Sequence, residues 1–307
     1  MEKKKKRLLC LLLILPLLLV ILFLMKNHNQ KQEKKQEAEE EAARIYATDI
    51  SEVGSVSYKT ESGEFTFEKK KDTWIYQQDP DFPLAQTYPE QIVSSFGKLE
   101  ALRELKDGDD LEAYGLDTPA YTVKLTDMDG KETELSIGNA VDEAYYLLNK
   151  TTEKIYTVSS TVTGTLQHTL EEMAQLDDYP NIGSGNLKKE VITRGGETIT
   201  YDSENEDDAK NIAAVAGGLG AVTLGSAADY SVEDKDLKGF GLDEASRTTV
   251  EAVYTKDEEE QALTLYIGSE DGEGNRYVML NDSRIVYLIS VDVCDNILNV
   301  EEPEETE

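Results

Sequence analysis

Apolar residues are distributed along this chain in two ways. From Leu8 to Met25 every position except Pro16 is apolar, and as a helix the run would reach roughly 27 Å, enough for a bilayer core. Beyond Ile45 the apolar positions come in short alternating runs broken by Gly, Asp and Asn, the period-two pattern of half-buried strands. Residues 55–59, 64–69 and 72–77 predict three strands over tight turns, with Trp74 and Tyr76 sharing a face of the third. Tyr121, Val123 and Leu125 alternate into Asp129-Gly130 and out again through Leu135 and Ile137, a strong short-range hairpin signal. A second hairpin joins 144–148 to 154–159. Further on, 189–193 and 198–202 flank Gly195-Gly196, and strands follow at 248–255, 263–267, 276–280 and 284–289. Helical spacing is rarer. Ile92, Val93, Phe96 and Leu99 share a face behind a Thr87-Tyr88-Pro89-Glu90 capping box. Residues 161–173 predict a closing helix, and 207–222 another, with Ile212, Val215, Leu219 and Val222 on one face and Gly217-Gly218 weakening it.

One phrase is written twice. Asp110-Leu111-Glu112-Ala113-Tyr114-Gly115-Leu116-Asp117 returns as Asp236-Leu237-Lys238-Gly239-Phe240-Gly241-Leu242-Asp243. Each copy leads into a strand ending in Ile-Gly, at Ile137-Gly138 and Ile267-Gly268. Asp110 is placed to cap a short helical turn with its carboxylate. Gly115 then supplies a left-handed residue that stops the turn, and Leu116 folds back as its apolar contact. This structural reading accounts for Tyr114, Gly115, Leu116 and Asp117, and for Phe240, Gly241, Leu242 and Asp243, without a ligand. The functional alternative makes Asp117 and Asp243 paired acids or metal ligands. Asn149 and Asn281 both fall at the second hairpin and both head an N-x-[ST] triplet, for which turn chemistry is a better account than glycosylation.

The expected organisation is α+β: two tandem homologous domains, each mainly antiparallel sheet with one or two helices, preceded by a single transmembrane helix. Residues 1–7 form a cytoplasmic basic cluster, 8–25 the anchor and 26–44 a charged stalk. The first repeat covers 45–176, a linker 177–185 and the second repeat 186–299, and 300–307 is an acidic tail. No small-x-small cleavage site follows the apolar run, so an uncleaved anchor is preferred to a signal peptide. The dense Lys3–Arg7 cluster places the N-terminus in the cytoplasm and the bulk of the chain outside the membrane.

Charge sharpens this picture. Residues 1–37 hold nine of the 31 basic and three of the 62 acidic residues, leaving 22 against 59, a net of −37, for the rest. Such a surface repels phosphate backbones, which excludes nucleic acid as a partner. Cys10 lies in the apolar run and Cys294 near the far end, so no disulfide framework or CxxC metal spacing exists.

Together, the anchor, the paired [YF]-G-L-D phrases, the strand-Ile-Gly-strand sequel and Trp74 ahead of a Pro-containing helix start resemble a bacterial family catalogued as domain of unknown function 4340. The resemblance covers residues 45–300 and is fullest at Tyr114-Gly115-Leu116-Asp117-Thr118-Pro119; the second copy has Glu244-Ala245-Ser246 where a proline is expected. It implies a membrane-anchored extracytoplasmic protein, linked in many members with components of envelope ABC transporters. It implies no catalytic residues.

Candidate chemistry is sparse. His28 and His168 are the only histidines, and no GxSxG, HExxH, P-loop or dinucleotide fingerprint occurs. Gly217-Gly218-Leu219-Gly220 ends a helix, the wrong end for phosphate. No catalytic, cofactor-binding or metal-ligating residue is therefore assigned, and no cofactor is expected. The expectation is a non-enzymatic binding or scaffold protein with a protein partner, such as transporter subunits. One alternative is a cell-wall glycan-acting enzyme using two carboxylates. Another is a calcium-dependent adhesion module using acidic loops at 127–130, 202–208 and 270–275, although none has the glycine and closing glutamate of a helix-loop-helix site.

Overall fold

A computed structural model describes residues 43–106 and 109–299, with Lys26, Lys35 and Glu41. The predicted anchor, most of the stalk and the acidic tail lie outside the described residues. Among the described residues no helix is long and apolar enough to cross a membrane.

Among the described residues seventeen strands form three antiparallel sheets. In the first repeat, β1 (Ile45–Tyr46) pairs with β5 (Glu100–Ala101). The main strands are β2 (Val53–Thr60), β3 (Gly63–Lys70), β4 (Thr73–Tyr76), β6 (Arg103–Leu105), β7 (Tyr121–Asp127), β8 (Glu132–Val141), β9 (Ala144–Asn149) and β10 (Lys154–Ser159). The second repeat contributes β11 (Leu187–Arg194), β12 (Glu197–Asp202), β13 (Ala227–Asp229), β14 (Thr248–Lys256), β15 (Glu259–Glu270), β16 (Asn275–Leu280) and β17 (Val286–Ser290). The first sheet has the order β4-β3-β2-β7-β8-β9-β10-β6 and the second β12-β11-β14-β15-β16-β17-β13. Strand for strand the second order reproduces the first, without a counterpart of β4 among the described residues. The predicted α+β repeat is therefore present as two copies of one topology.

By compactness the chain divides into one unit of residues up to 64 with 91–167, and another of 65–90 with 168 onward. The second unit claims residues 65–90 through specific contacts. Phe82 lies 5.5 Å from Tyr230 between ring centroids, the Ser231 hydroxyl donates to Asp79, and Leu84 bridges Ala174. Residues 177–185, expected as a link, are packed into this unit. Asp177 accepts from the Tyr287 and Ser283 hydroxyls, the Tyr179 hydroxyl donates to the Leu219 carbonyl, and Ile182 is buried.

The helices depart from expectation in instructive ways. Helix α1 (Thr87–Gly97) buries Ile92 and Phe96 as predicted. Its capping box does not close, because the Glu90 amide donates to the Gln86 carbonyl, one residue before the expected cap. The closing helix at 161–173 is instead two 3-10 turns, Ser160–Leu166 and Glu171–Met173. Thr161, Val162, Thr163 and Thr165 are β-branched and Gly164 interrupts them, a poor α-helical stretch. Helix α2 (Ala209–Ala221) puts Ile212, Val215 and Leu219 onto the sheet, and α3 (Val291–Ile297) buries Cys294 and Ile297 beside it. The glycines of α2 permit this packing. A Cβ on Gly218 would lie 2.8 Å from the Asn296 carbonyl carbon, and one on Gly220 would lie 2.6 Å from the Ile182 oxygen.

Candidate functional site

The repeated phrase folds the same way twice. Leu111–Tyr114 and Leu237–Phe240 are single 3-10 turns, ended by Gly115 and Gly241 at φ 66°. The amides of Leu116 and Leu242 donate back to Leu111 and Leu237 at 2.9 Å, the wide loop-back bond of a left-handed helix stop. Leu116 and Leu242 are buried. The predicted cap is absent: neither the Asp110 nor the Asp236 side chain bonds the turn. A 3-10 turn of four residues satisfies its own amides from main-chain carbonyls, as Ala113 does from Asp110 at 3.0 Å.

The partner of the phrase is the Ile-Gly step. In both sheets the ladder slips directly after the isoleucine, between Ile137 and Ala140 and between Ile267 and Glu270, and the turn seats on the resulting bulge. A Cβ on Gly138 would lie 2.9 Å from the Gly115 carbonyl and would collide with that of Tyr114; one on Gly268 would collide with the Phe240 carbonyl. Rings complete the fastening. Tyr114 meets Tyr146 of β9, and Phe240 meets Tyr277 of β16. In the second repeat Leu242 joins Val232, Met279 and Val286 in a small cluster, while Val278, Leu280 and Tyr287, alternating with them, face the helices. The phrase thus covers the sheet face that the helices leave open.

The two acids of the phrase are held differently in their own repeats. Asp117 is exposed and accepts only from the Thr118 hydroxyl, at 3.4 Å. Asp243 Oδ1 is buried without a hydrogen-bond partner, while its carbonyl accepts from the Ser246 and Arg247 amides. A shallow cleft flanks each fastening, about 560 Å³ beside Gly115 and Gly138 and about 380 Å³ beside Gly241 and Gly268. The first presents Lys59 and Glu61, the second Arg194, Arg276 and Asp295. What the two share is glycine, already explained by packing, so the clefts are by-products of the bulge.

The other candidates are absorbed locally. His168 rests on Tyr88 at 4.8 Å and lies 3.6 Å from Glu172. Asp127, Asp202 and Asp271 each fold their carboxylates onto amides of their own loops. In Asp271 the Asn275 side chain, then the loop amides, hold the pKa low. Among the described residues no group of three or more His, Cys, Asp or Glu gathers as for a metal ion. Asn149 is buried, its oxygen accepting from the Thr151 and Thr152 amides. Asn281 sits one ladder position further on. Ile137 pairs with Leu147 and Ile267 with Val278, so Asn149 matches Leu280, and Asn281 matches Lys150. The two asparagines are therefore not equivalent residues, because the match assumed a common offset that the strand register does not have.

Two features escaped sequence reasoning. Glu190, on β11, is fully buried with both carboxylate oxygens unpaired, and burial pushes its pKa up to about 8. Burial, and secondarily Glu190, also raises the pKa of Tyr179. Secondly, the sheets end differently. On β4 the Trp74 amide donates to the Gln86 side chain at 2.7 Å, which donates back to the Trp74 carbonyl at 3.0 Å, sealing that edge. Strand β12 ends its sheet with residues 197–200 exposed and no further strand beside it among the described residues.

A family model described as domain of unknown function (DUF4340) matches the chain twice, at residues 74–211 and 198–298. No curated protein and no solved structure gives a significant match.

Proposed function

The chain belongs to the family described as domain of unknown function (DUF4340), and on that footing we propose that it works by holding another protein, without catalysing a reaction. In this reading it is an extracytoplasmic binding or scaffold protein, anchored through the apolar run at 8–25 and acting as an accessory to an ABC-type envelope transporter. The observation that supports it best is the open edge of β12. The Asp202 amide donates to the Asp208 side chain, while Thr198 and Thr200 stand exposed on the same outward side. An edge open over that stretch is a template for an added strand, and the corresponding edge of the first repeat is closed at Trp74. In the phrase, by contrast, Tyr114, Gly115 and Leu116, with Phe240, Gly241 and Leu242, are already engaged by the sheet beneath them.

Purification of the full chain from gently solubilised membranes tests the reading. Retention of transporter subunits at constant stoichiometry is the expected result. Retention of cell-wall glycan with turnover would replace it with the enzyme alternative, and calcium-dependent retention with the adhesion alternative.

A further inference from the structure

The internal repeat supplies its own template for what is missing beside β12. Strands β3 and β12 each follow a two-residue turn, so their positions count alike from the first residue. The third and fifth positions of β3 are Phe65 and Phe67, 8% and 0% exposed. Tyr76 of β4 covers both, with ring centroids 6.4 and 5.8 Å away. The third and fifth positions of β12 are Ile199 and Tyr201. Ile199 pairs with the buried Ile192 of β11 and is therefore on the core face, yet it is 51% exposed. Phe65, at the same count on β3, is covered by Tyr76 while Ile199 is left half in water, and that contrast marks an unfilled position.

Building on the binding function proposed above, we infer that this position takes an extended segment of a partner protein, running antiparallel to β12 as β4 runs to β3. The segment carries large apolar or aromatic side chains at alternate positions, to cover Ile199 and Tyr201. Its N-terminal end is basic. Glu197 and Asp202 already face Arg194 and Lys189 across the ladder, but Glu204, Glu206, Asp207 and Asp208 follow directly and are met only by Lys210 in sequence. An antiparallel partner brings its N-terminus to that acidic loop. A second copy of this chain fits poorly, because each copy carries a net charge of −31.

The chain's own residues 69–78, Lys69 to Gln78, have the required form: three lysines, then the Trp and Tyr of β4. A dye-labelled peptide of that sequence, titrated against the full chain, is the probe. The expected result is saturable binding, weakened by salt, with amide exchange slowed at Thr198 and Thr200, whose amides face away from β11. Ile199→Lys, at an exposed site, is expected to weaken binding roughly tenfold or more without lowering the melting temperature. A peptide with Ser for Trp and Tyr should lose the binding. Binding with no added protection at Thr198 and Thr200, equal binding to the Ile199→Lys chain, or self-association through this strand in the ultracentrifuge would overturn the inference. No peptide binding together with intact co-purification of transporter subunits would remove the edge inference and leave the proposed function standing.

Discussion

Tyr114 and Tyr146 stand 4.6 Å apart between ring centroids, and Phe240 and Tyr277 repeat the contact at 5.0 Å. These partners are equivalent in the two ladders, each one residue before the partner of the isoleucine at the bulge. An aromatic pair of this kind is worth about 0.5–1.5 kcal/mol beyond its buried area. Double-mutant cycles with Tyr114→Leu and Tyr146→Leu, and with Phe240→Leu and Tyr277→Leu, should return coupling energies in that range, measured by urea unfolding. A coupling near zero in both would remove the rings from the fastening.

The glycines of the fastening should tolerate no side chain. Gly138→Ala and Gly268→Ala force a Cβ against a backbone carbonyl, and overpacking of this kind costs about 1–3 kcal/mol, occasionally more. Gly115→Ala adds the strain of a left-handed residue, about 1–2 kcal/mol. Because Gly115 and Gly138 meet in one contact, the double variant should lose less than the sum of the singles. Full additivity in chemical denaturation would mean that the two do not share a contact.

Helix α2 offers a paired test. Gly217 faces open space, so Gly217→Ala should stabilise by about 0.5–1 kcal/mol. Gly218 abuts α3, so Gly218→Ala should destabilise instead. Equal shifts in melting temperature would contradict the close approach of the two helices.

Glu190 predicts a pH slope. Folded, it keeps its proton up to about pH 8; unfolded, it releases it near 4.5. Between those values the folded state holds more protons, so stability is highest below the unfolded pKa and falls as pH rises through the folded one. At about 1.4 kcal/mol per pKa unit, the loss is on the order of 3–5 kcal/mol. Glu190→Gln should flatten the melting temperature between pH 5 and 9. An unchanged slope would mean that the carboxyl is hydrated or paired in solution.

The sequence made the strands legible because their alternation is strict and their turns are glycine- and Asp-rich, as at Asp129-Gly130 and Gly195-Gly196. It made the phrase legible because Gly115 and Gly241 can be read locally as left-handed stops. What it could not give was the seat of the phrase. Gly138 lies 23 positions beyond Gly115, and only the ladder slip brings the two together. The Asn149–Asn281 match failed for a related reason: similarity along the chain was followed where register across strands decides. Glu190 was invisible because β11 alternates ambiguously, with Leu187 buried and then, after a slip, Glu190 and Ile192. In helix α2, Gly218 read as a weakness because its neighbour, α3, is a seven-residue helix with little periodicity to announce it.

Carboxylates of the phrase should be dispensable for partner binding, and the outer strand should not. The direct measurement is quantitative co-purification from membranes with three full-length chains: wild type, Asp117→Asn with Asp243→Asn, and Ile199→Lys. Equal partner recovery for the first two, with loss in the third, is the predicted result. Loss in the double Asn variant at unchanged melting temperature, with full recovery for Ile199→Lys, would contradict it.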